Sequence, residues 1–340
     1  MSDLVQQALV QLLDKQDLSN QQMQSAMNAI MQGQATPAQI AGFIIALRMK
    51  GESVDEITAA AQVMRNLSSK VNINAANLVD TCGTGGDGQN TFNVSTASAI
   101  VAASAGVNIA KHGNRSVSSS TGSADVLEAL GVKLELTPEQ IAKCVETVGI
   151  GFMFAPMHHS CMKHAIGPRK ELAVRTLFNL LGPLTNPAGA QSQVLGVFDR
   201  AWLRPLAGVL NNLGSERALV VHAEDGLDEI SITSKTFVCE LANGDITEYE
   251  VTPNELGVDT GNLTDIAVEN AQQSADMIND VFNGMPGPAS NIVALNAGAA
   301  IYIAGRTTSL SEGVDLAVLS IQSGVALQKL TDLVDYTNNQ

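Results

Sequence analysis

Two loops rich in glycine, hydroxyl groups and cations could bind an anion. Residues 83–88 read Gly-Thr-Gly-Gly-Asp-Gly after a short apolar strand, and residues 93–96 begin the next helix. Glycines let backbone N–H groups approach phosphate oxygens, and the first turn of a helix favours negative charge. Asp87 adds a carboxylate that could hold sugar hydroxyls or a metal ion accompanying the phosphates. The pattern favours a phosphorylated ligand over the alternative, a tight strand–helix turn with a helix cap.

The second loop, residues 111–119, carries more specific chemistry. It holds the cations Lys111 and Arg115, a glycine and several serines, and it follows the end of the next strand. Charge-assisted contacts from lysine and arginine, together with hydroxyl and backbone donors, suit a pyrophosphate better than a merely solvated loop. Loops that follow neighbouring parallel strands converge outside the carboxyl ends of the sheet. The two loops are therefore expected to line one crevice.

The spacing of the glycines disfavours two familiar nucleotide-binding motifs. Residues 83–88 match the G-x-G-x-x-G of dinucleotide-binding folds, but no acidic residue lies between Asp87 and Asp125 to hold a ribose. A Walker-type phosphate loop requires Gly-Lys-Ser or Gly-Lys-Thr after the glycines, and residues 88–90 read Gly-Gln-Asn. Neither a nicotinamide cofactor nor a Walker-type nucleotide site is expected.

The elements that must position these loops fall into a helical start and an alternating remainder. Apolar residues at helical spacing and capping signals predict a small all-helical domain over residues 1–72. Residues 73–340 alternate short apolar strands with helices, which is typical of a larger α/β domain with a mainly parallel central sheet flanked by helices. Three long helices are expected at its end, over residues 264–283, 288–305 and 311–330.

Composition and charge narrow the classes of function. The 340 residues include 19 Lys and Arg against 34 Asp and Glu, for a net charge of −15, and only 4% are aromatic. Such a chain is poorly suited to tracking a phosphate backbone or stacking on bases, so nucleic-acid binding is disfavoured. The balance is +2 over residues 111–175 and −13 over residues 200–340. A local positive stretch in an acidic protein indicates a small anionic ligand or, alternatively, ordinary solvated surface.

Cysteine spacing and hydropathy indicate the cellular compartment of the protein. The cysteines, at residues 82, 144, 161 and 239, are too far apart for a Cys-x-x-Cys metal or redox motif and are expected to be reduced thiols. The first residues show no basic region followed by an apolar run, as a signal peptide would. No apolar stretch approaches the roughly 18 residues of a membrane span. A soluble, cytoplasmic protein without a membrane partner is therefore expected.

The order of these segments resembles the anthranilate phosphoribosyltransferase family, among the class III phosphoribosyltransferases and nucleoside phosphorylase-like proteins. Residues 169–172, 175–187 and 222–229 continue the pattern of the two loops, so the resemblance spans essentially the whole chain. It implies a glycosyltransferase that moves phosphoribose from phosphoribosyl pyrophosphate to the amine of anthranilate in tryptophan biosynthesis. It also implies a homodimer through the helical domain, with helices at about residues 168–188 packed on that domain.

The resemblance further implies which residues hold each ligand. Those placed against phosphoribosyl pyrophosphate are Gly83, Gly86, Asp87, Thr91, Asn93, Val94, Ser95, Thr96, Lys111, His112, Gly113, Asn114, Arg115, Ser116, Val117, Ser118, Ser119 and Ser123. Those placed against anthranilate are Gly83, Asn114 and Arg169. Those placed against Mg²⁺ are Ser95, Asp228 and Glu229. Adjacent carboxylates are hard ligands suited to Mg²⁺, and the planar guanidinium of arginine suits a substrate carboxylate. No covalent nucleophile or obligatory base is expected.

Two other functions remain open on the sequence. A pyrimidine nucleoside phosphorylase would share the architecture and a similar glycine loop, but such enzymes usually carry a further C-terminal domain and lack the stretch at residues 179–187. A non-catalytic relative that binds nucleic acid would show a basic groove and would lack Arg169, which is present here. The chain departs from the family pattern at Ser160 and Cys161, where relatives carry proline and a small residue.

Overall fold

The computed structural model describes residues 2–116 and 121–340. Three of the predicted phosphate contacts, Val117, Ser118 and Ser119, lie outside the described residues.

The start of the chain is helical because its helices bury apolar residues against one another and three of them begin at a polar cap. The first four helices are α1 (Ser2–Leu13), α2 (Asn20–Met31), α3 (Pro37–Lys50) and α4 (Val54–Leu67). Side chains of Ser19, Thr36 and Ser53 accept the backbone N–H three residues on, satisfying a donor that the first turn leaves unpaired. The apolar faces of these helices meet in one cluster, which confirms the predicted helical start.

The rest of the chain is built on a seven-stranded sheet with the order β3-β2-β1-β4-β5-β6-β7. Its strands are β1 (Val79–Gly83), β2 (Ile109–Gly113), β3 (Ile150–Phe154), β4 (Ser192–Gly196), β5 (Arg217–Ala223), β6 (Thr236–Ala242) and β7 (Asp245–Val251). The first five strands in spatial order are parallel, and β6 and β7 add an antiparallel edge. This confirms the predicted mainly parallel sheet. The strand order reverses between β1 and β4, which opens a crevice at their carboxyl ends.

Helices cover both faces of the sheet. They are α5 (Val94–Ser104), α6 (Ser123–Ala129), α7 (Pro138–Val148), α8 (Ala155–His158), α9 (Lys163–Leu172), α10 (Leu177–Leu181), α11 (Leu203–Asn212), α12 (Ala271–Phe282), α13 (Pro288–Ile303), α14 (Leu310–Gln322) and α15 (Val325–Asn338). On one face α5 and α13 are apolar on nearly all sides, so they lie deepest in the core, with α14 and α15 outside them. On the other face α11 packs in the same cluster as α1–α4, α9 and α10.

The end of the chain differs from the sequence prediction in two places. The single helix expected over residues 311–330 is wrong: Gly324, with φ of +78°, ends α14 and starts α15, and the two helices meet at 72°. The apolar periodicity runs on across this break, so periodicity alone could not locate it. The helix expected from residue 264 begins only at Ala271, where Asn270 caps it, and Leu263–Ile266 form a 3₁₀ turn. Within the described residues, no single helix is long and apolar enough to cross a bilayer.

Candidate active site at the carboxyl ends of the sheet

The crevice is closed on one side by the loop after β5, which folds over the ends of β1 and β4. Gly83 and Gly196 lie side by side in register at those ends. A Cβ on Gly196 would lie 1.5 Å from the carbonyl oxygen of Asp228, and one on Gly83 would lie 2.3 Å from its Oδ2. Both positions therefore require glycine for Asp228 to reach the crevice.

Three acidic side chains meet where this loop faces the glycine loop. Oδ2 of Asp228 accepts the backbone N–H of Gly85 at 2.8 Å. Burial, and then the charge of Asp87, raise the pKa of Asp228 to about 7. Burial and Asp228 together hold the pKa of Glu229 well above its usual range, against the opposing effects of Lys111 and the backbone of Ser95. When ionised, these carboxylates therefore repel one another.

This donor set fits a divalent cation that also has other oxygen ligands. A cation between Asp228 and Glu229 would relieve their repulsion and favour their ionised forms. In the described part of the chain, no three or more His, Cys, Asp or Glu side chains are grouped so as to hold a metal ion. These residues can supply only part of a coordination shell, and phosphate and water oxygens suit the remainder. Ser95 lies next to this pair, since its backbone N–H faces Glu229.

The first turn of α5 and Lys111 form the opposite wall. Lys111 is 3% exposed, and its Nζ donates to the carbonyl of Thr81 and, at 3.4 Å, to Oγ of Ser95. Burial lowers the pKa of Lys111, while nearby acidic groups act in the opposite direction. The hydroxyl of Thr96 is buried without a hydrogen-bond partner in the described structure. The structure thus brings a cation and helix N-terminal donors to the glycine loop, as the sequence predicts for an anion site.

Two predicted contacts at this helix start face elsewhere. The side chain of Val94 is 1% exposed and belongs to the core, so only its backbone is available to a ligand. Oδ1 of Asn93 accepts hydroxyls of Ser274 at 2.8 Å and Thr121 at 3.2 Å, so this side chain ties α5 to α12 and to the start of α6. Thr91 pairs with Ala267 in an isolated antiparallel bridge, which holds the far end of the glycine loop.

The second loop is tied to α6. Arg115 donates to Asp125 at 3.0 Å and to Glu128 at 2.8 Å, and its guanidinium lies over the ring of Phe154. The cation that the sequence places on pyrophosphate is therefore paired with carboxylates in this structure. The backbone N–H of Ser116 donates to Asp125 at 3.0 Å, so the same carboxylate orders the loop backbone.

The neighbouring residues of this loop pack closely. A Cβ on Gly113 would lie 2.1 Å from Oγ of Ser123, so the loop approaches the start of α6 only because residue 113 is glycine. Oδ1 of Asn114 accepts the N–H of Arg115 at 2.7 Å, and its carbonyl accepts the hydroxyl of Ser123 at 3.3 Å. Asn114 itself is exposed.

Arg169 lies on α9, on the helical side of the molecule. Its guanidinium lies 5.1 Å from the ring of Phe178, and no carboxylate among the described residues pairs with it. Burial lowers the pKa of this guanidinium. A half-buried arginine without a carboxylate can accept one from a ligand. Nearby, Arg175 donates to the carbonyl of Gly86, and the guanidinium of Arg48 in α3 donates to the carbonyl of Arg175.

His112, at the end of β2, is buried against another histidine. Its ring is 6% exposed and lies 5.1 Å from that of His159. Burial, followed by His159 and His158, holds the pKa of His112 well below its usual range, so the ring is neutral. After His158 the chain leaves α8 and passes through a 3₁₀ turn at Ser160–Met162, the position of the departure from the family pattern.

Several residues that shape the site carry little signal in the sequence. Asp80, buried in β1, accepts the N–H of His112 at 3.1 Å and the amide of Asn186 at 2.7 Å, and burial raises the pKa of Asp80 to about 6. Gly196 ends β4 just as glycines end β1 and β2, so nothing in the sequence singles it out. Asn296 is the one with a sequence signal, because it is a carboxamide in the middle of the apolar run 292–301 of α13.

Comparisons with known proteins cover the whole of this architecture. Residues 6–68 match the glycosyl transferase family, helical bundle domain, and residues 75–327 match the glycosyl transferase family, a/b domain. An anthranilate phosphoribosyltransferase of Thioalkalivibrio sulfidiphilus is 58% identical over 98% of each chain. The crystal structure of anthranilate phosphoribosyltransferase from Thermus thermophilus is 43% identical, with a TM-score of 0.92 over 97% of this chain and 99% of the other. The Saccharomyces cerevisiae enzyme in complex with PRPP and Mg is 27% identical, with a TM-score of 0.91 over 99% and 98% of the two chains.

Proposed function

Because the chain belongs to the anthranilate phosphoribosyltransferase family, we infer that it transfers phosphoribose from phosphoribosyl pyrophosphate to the amine of anthranilate. The products are N-(5-phosphoribosyl)anthranilate and pyrophosphate, in tryptophan biosynthesis. The observation that carries this function is identity of 58% over 98% of both chains with a relative of that name. The pyrimidine nucleoside phosphorylase and nucleic-acid-binding alternatives are set aside on the same ground.

The crevice supports a specific placement of phosphoribosyl pyrophosphate. We place the phosphates against the glycine loop, the first turn of α5 and Lys111, where backbone N–H groups and a buried ammonium offer donors to anionic oxygens. As the bond to pyrophosphate breaks, negative charge grows on the leaving group and the ribose carbon becomes electron-poor. Donors fixed before the reaction stabilise that charge most effectively. No side chain needs to attack the ribose carbon, since the anthranilate nitrogen does so.

We assign the metal positions to Asp228, Glu229 and Ser95. The repulsion between these two carboxylates when ionised supports this assignment, and so does the yeast relative that was solved with PRPP and Mg. When bound there, Mg²⁺ would neutralise charge on the pyrophosphate. The chain's own part is to hold these oxygens rigidly at the ends of β1 and β4, with Gly83 and Gly196 making room for them.

We extend the proposal to the domain division, the oligomeric state and the cellular location. We propose that residues 1–72 and 73–340 act as two domains and that the chain forms a homodimer through the helical domain. Large apolar side chains exposed on that domain support such an interface: Leu13 is 68% exposed at the end of α1, and Met49 is 82% exposed near the end of α3. We also propose a cytoplasmic location.

The decisive test of function is an assay with the two substrates. Mixing the protein with anthranilate, phosphoribosyl pyrophosphate and Mg²⁺ is expected to remove the fluorescence of anthranilate and release pyrophosphate. Omitting phosphoribosyl pyrophosphate is the control and should abolish the loss. Persistent anthranilate fluorescence, together with phosphorolysis of thymidine or uridine, would instead identify a nucleoside phosphorylase.

Arg169 offers a sharper test of the anthranilate position. Arg169→Met is expected to raise the KM for anthranilate by about 10–150-fold, because a charge-assisted bond to a carboxylate is worth about 1.5–3 kcal/mol. The KM for phosphoribosyl pyrophosphate should change by less than about threefold. Lys170→Met removes the same charge from an exposed neighbour on α9 and should leave both constants near wild type. An unchanged KM for anthranilate in Arg169→Met would remove Arg169 from its site.

A further inference from the structure

The loop that carries Asp228 and Glu229 is held from beneath by a buried carboxamide. Asn296 lies in α13 and is 2% exposed. Its Oδ1 accepts the backbone N–H of Ile230 at 2.9 Å, and its Nδ2 donates to the carbonyl of Ile230 at 3.0 Å. Nδ2 also donates to the carbonyl of Ile292 in its own helix at 2.9 Å. One side chain thus fixes both polar groups of the residue that follows Glu229.

Burying the Asn296 side chain has a free-energy cost. Taking a carboxamide out of water costs about 1–3 kcal/mol unless its hydrogen bonds are replaced, and an apolar side chain would avoid that cost. The rest of the buried face of α13 is made of alanine, glycine and aliphatic residues. Asn296 is therefore best explained by what its amide holds.

Helix α13, which carries Asn296, is packed tightly against α14. Two residues along the helix, a Cβ on Gly298 would lie 2.6 Å from both a methyl group and the backbone nitrogen of Val314, so α13 and α14 pack backbone against backbone. Such close packing leaves α13 little freedom to shift. Asn296 can therefore transmit a fixed position from the core to Ile230.

The other end of the loop has its own anchor. Asp225 accepts the N–H of Leu227 at 3.1 Å through Oδ1, and the hydroxyls of Ser231 and Thr233 donate to its Oδ2. The carboxylate of Asp225 is thus engaged within the loop. The Asp228–Glu229 pair lies between the two anchors, so the backbone that carries the pair is fixed on both sides.

We propose that Asn296 is a positioning residue for phosphoribosyl transfer: by clamping the backbone of Ile230, it aims the carboxylates of Asp228 and Glu229 at the metal-bound pyrophosphate. The inference rests on the proposed function and on the metal assignment to these two residues. Asn296 touches no substrate, and it acts only through the loop backbone.

The test measures metal binding directly as well as turnover. Asn296→Leu keeps the branching at Cγ and the number of heavy atoms, and it removes all three hydrogen bonds. Mn²⁺, used as a probe for Mg²⁺, is titrated with phosphoribosyl pyrophosphate present and anthranilate absent, and free Mn²⁺ is followed by electron paramagnetic resonance. The dissociation constant for Mn²⁺ is expected to rise about 10–100-fold, the range seen when groups that orient metal ligands are removed. In steady-state assays the KM for anthranilate should stay within about twofold.

Two further variants separate positioning from general stability. Val293→Ala removes a fully buried apolar side chain from the same helix and should lower the unfolding midpoint without changing the Mn²⁺ affinity. Asn296→Ser keeps a small polar group but cannot reach both groups of Ile230, so it should show the same weakening if the leucine variant fails to fold. Wild-type affinity in a folded Asn296 variant, or equal weakening in Val293→Ala, would overturn the inference. A wild-type protein that does not consume anthranilate would instead refute the proposed function.

Discussion

Replacing Asp228 with Asn and Glu229 with Gln together is expected to lower kcat/KM for phosphoribosyl pyrophosphate by about 10²–10⁴-fold. Each charged oxygen ligand contributes about 1.5–3 kcal/mol, and each 1.36 kcal/mol is a factor of ten in rate. The Mg²⁺ concentration that gives half-maximal rate should rise in parallel. Initial rates over a series of Mg²⁺ concentrations measure both effects.

The stability of this double variant should move in the opposite direction. Burial and mutual repulsion raise the pKa of both carboxyls in the folded protein. The unfolded chain therefore loses these protons at a lower pH, so stability falls as pH rises above the ordinary carboxyl range, and at pH 8 the ionised pair opposes folding. Neutral amides remove that repulsion, and the unfolding midpoint at pH 8 should be unchanged or higher. Glu224→Gln is the matched control, since this exposed carboxylate in the same loop lies 3.8 Å from Lys235 and away from the crevice. Wild-type dependence on Mg²⁺ in the double variant would remove Asp228 and Glu229 from the metal assignment.

Gly196→Ala is expected to reduce kcat/KM for phosphoribosyl pyrophosphate by about a hundredfold. The added methyl group would lie 1.5 Å from the carbonyl oxygen of Asp228, so the loop must move by more than 1 Å. A displacement of about 1 Å in a catalytic group can cost about 10²-fold in rate. The shift would also break the contact between Asp228 and the N–H of Gly85. Steady-state rates and urea unfolding measure the two consequences, and the free energy of unfolding should fall by about 1–3 kcal/mol.

Gly208→Ala is the matched control for this substitution. Gly208 lies inside α11, and a Cβ there would be 3.6 Å from a methyl group of Val54, an ordinary contact. Alanine in a helix interior is more stable than glycine by about 0.5–1 kcal/mol, so this variant should retain activity and unfold at a slightly higher urea concentration. Full activity in Gly196→Ala would show that the loop accommodates the methyl group and that its position is not critical.

Most of the fold could be predicted from the sequence because helix caps and apolar spacing are properties of short stretches of the chain. Ser19, Thr36 and Ser53 cap three of the first four helices, and each is followed by a helical apolar pattern. The alternation of short apolar strands with helices predicted the parallel sheet, because such connections require crossovers between neighbouring strands. The break at Gly324 was missed because the apolar spacing continues through it, although the φ of +78° at this glycine turns the chain by 72° between α14 and α15.

The candidate site was predictable only where its chemistry lies in short contiguous segments. The sequence by itself predicted an anion-binding glycine loop followed by a helix start at residues 93–96, because residue types and spacing indicate that chemistry. The metal role of Asp228 and Glu229 follows only from the family resemblance. Only the tertiary structure decided that Arg115 pairs with Asp125 and Glu128, and that Gly196 and Asn296 set the position of Asp228. These contacts join residues far apart in the chain. Residue type and spacing along the chain do not show which distant backbone will pack against a glycine such as Gly196 or bond to a buried amide such as Asn296.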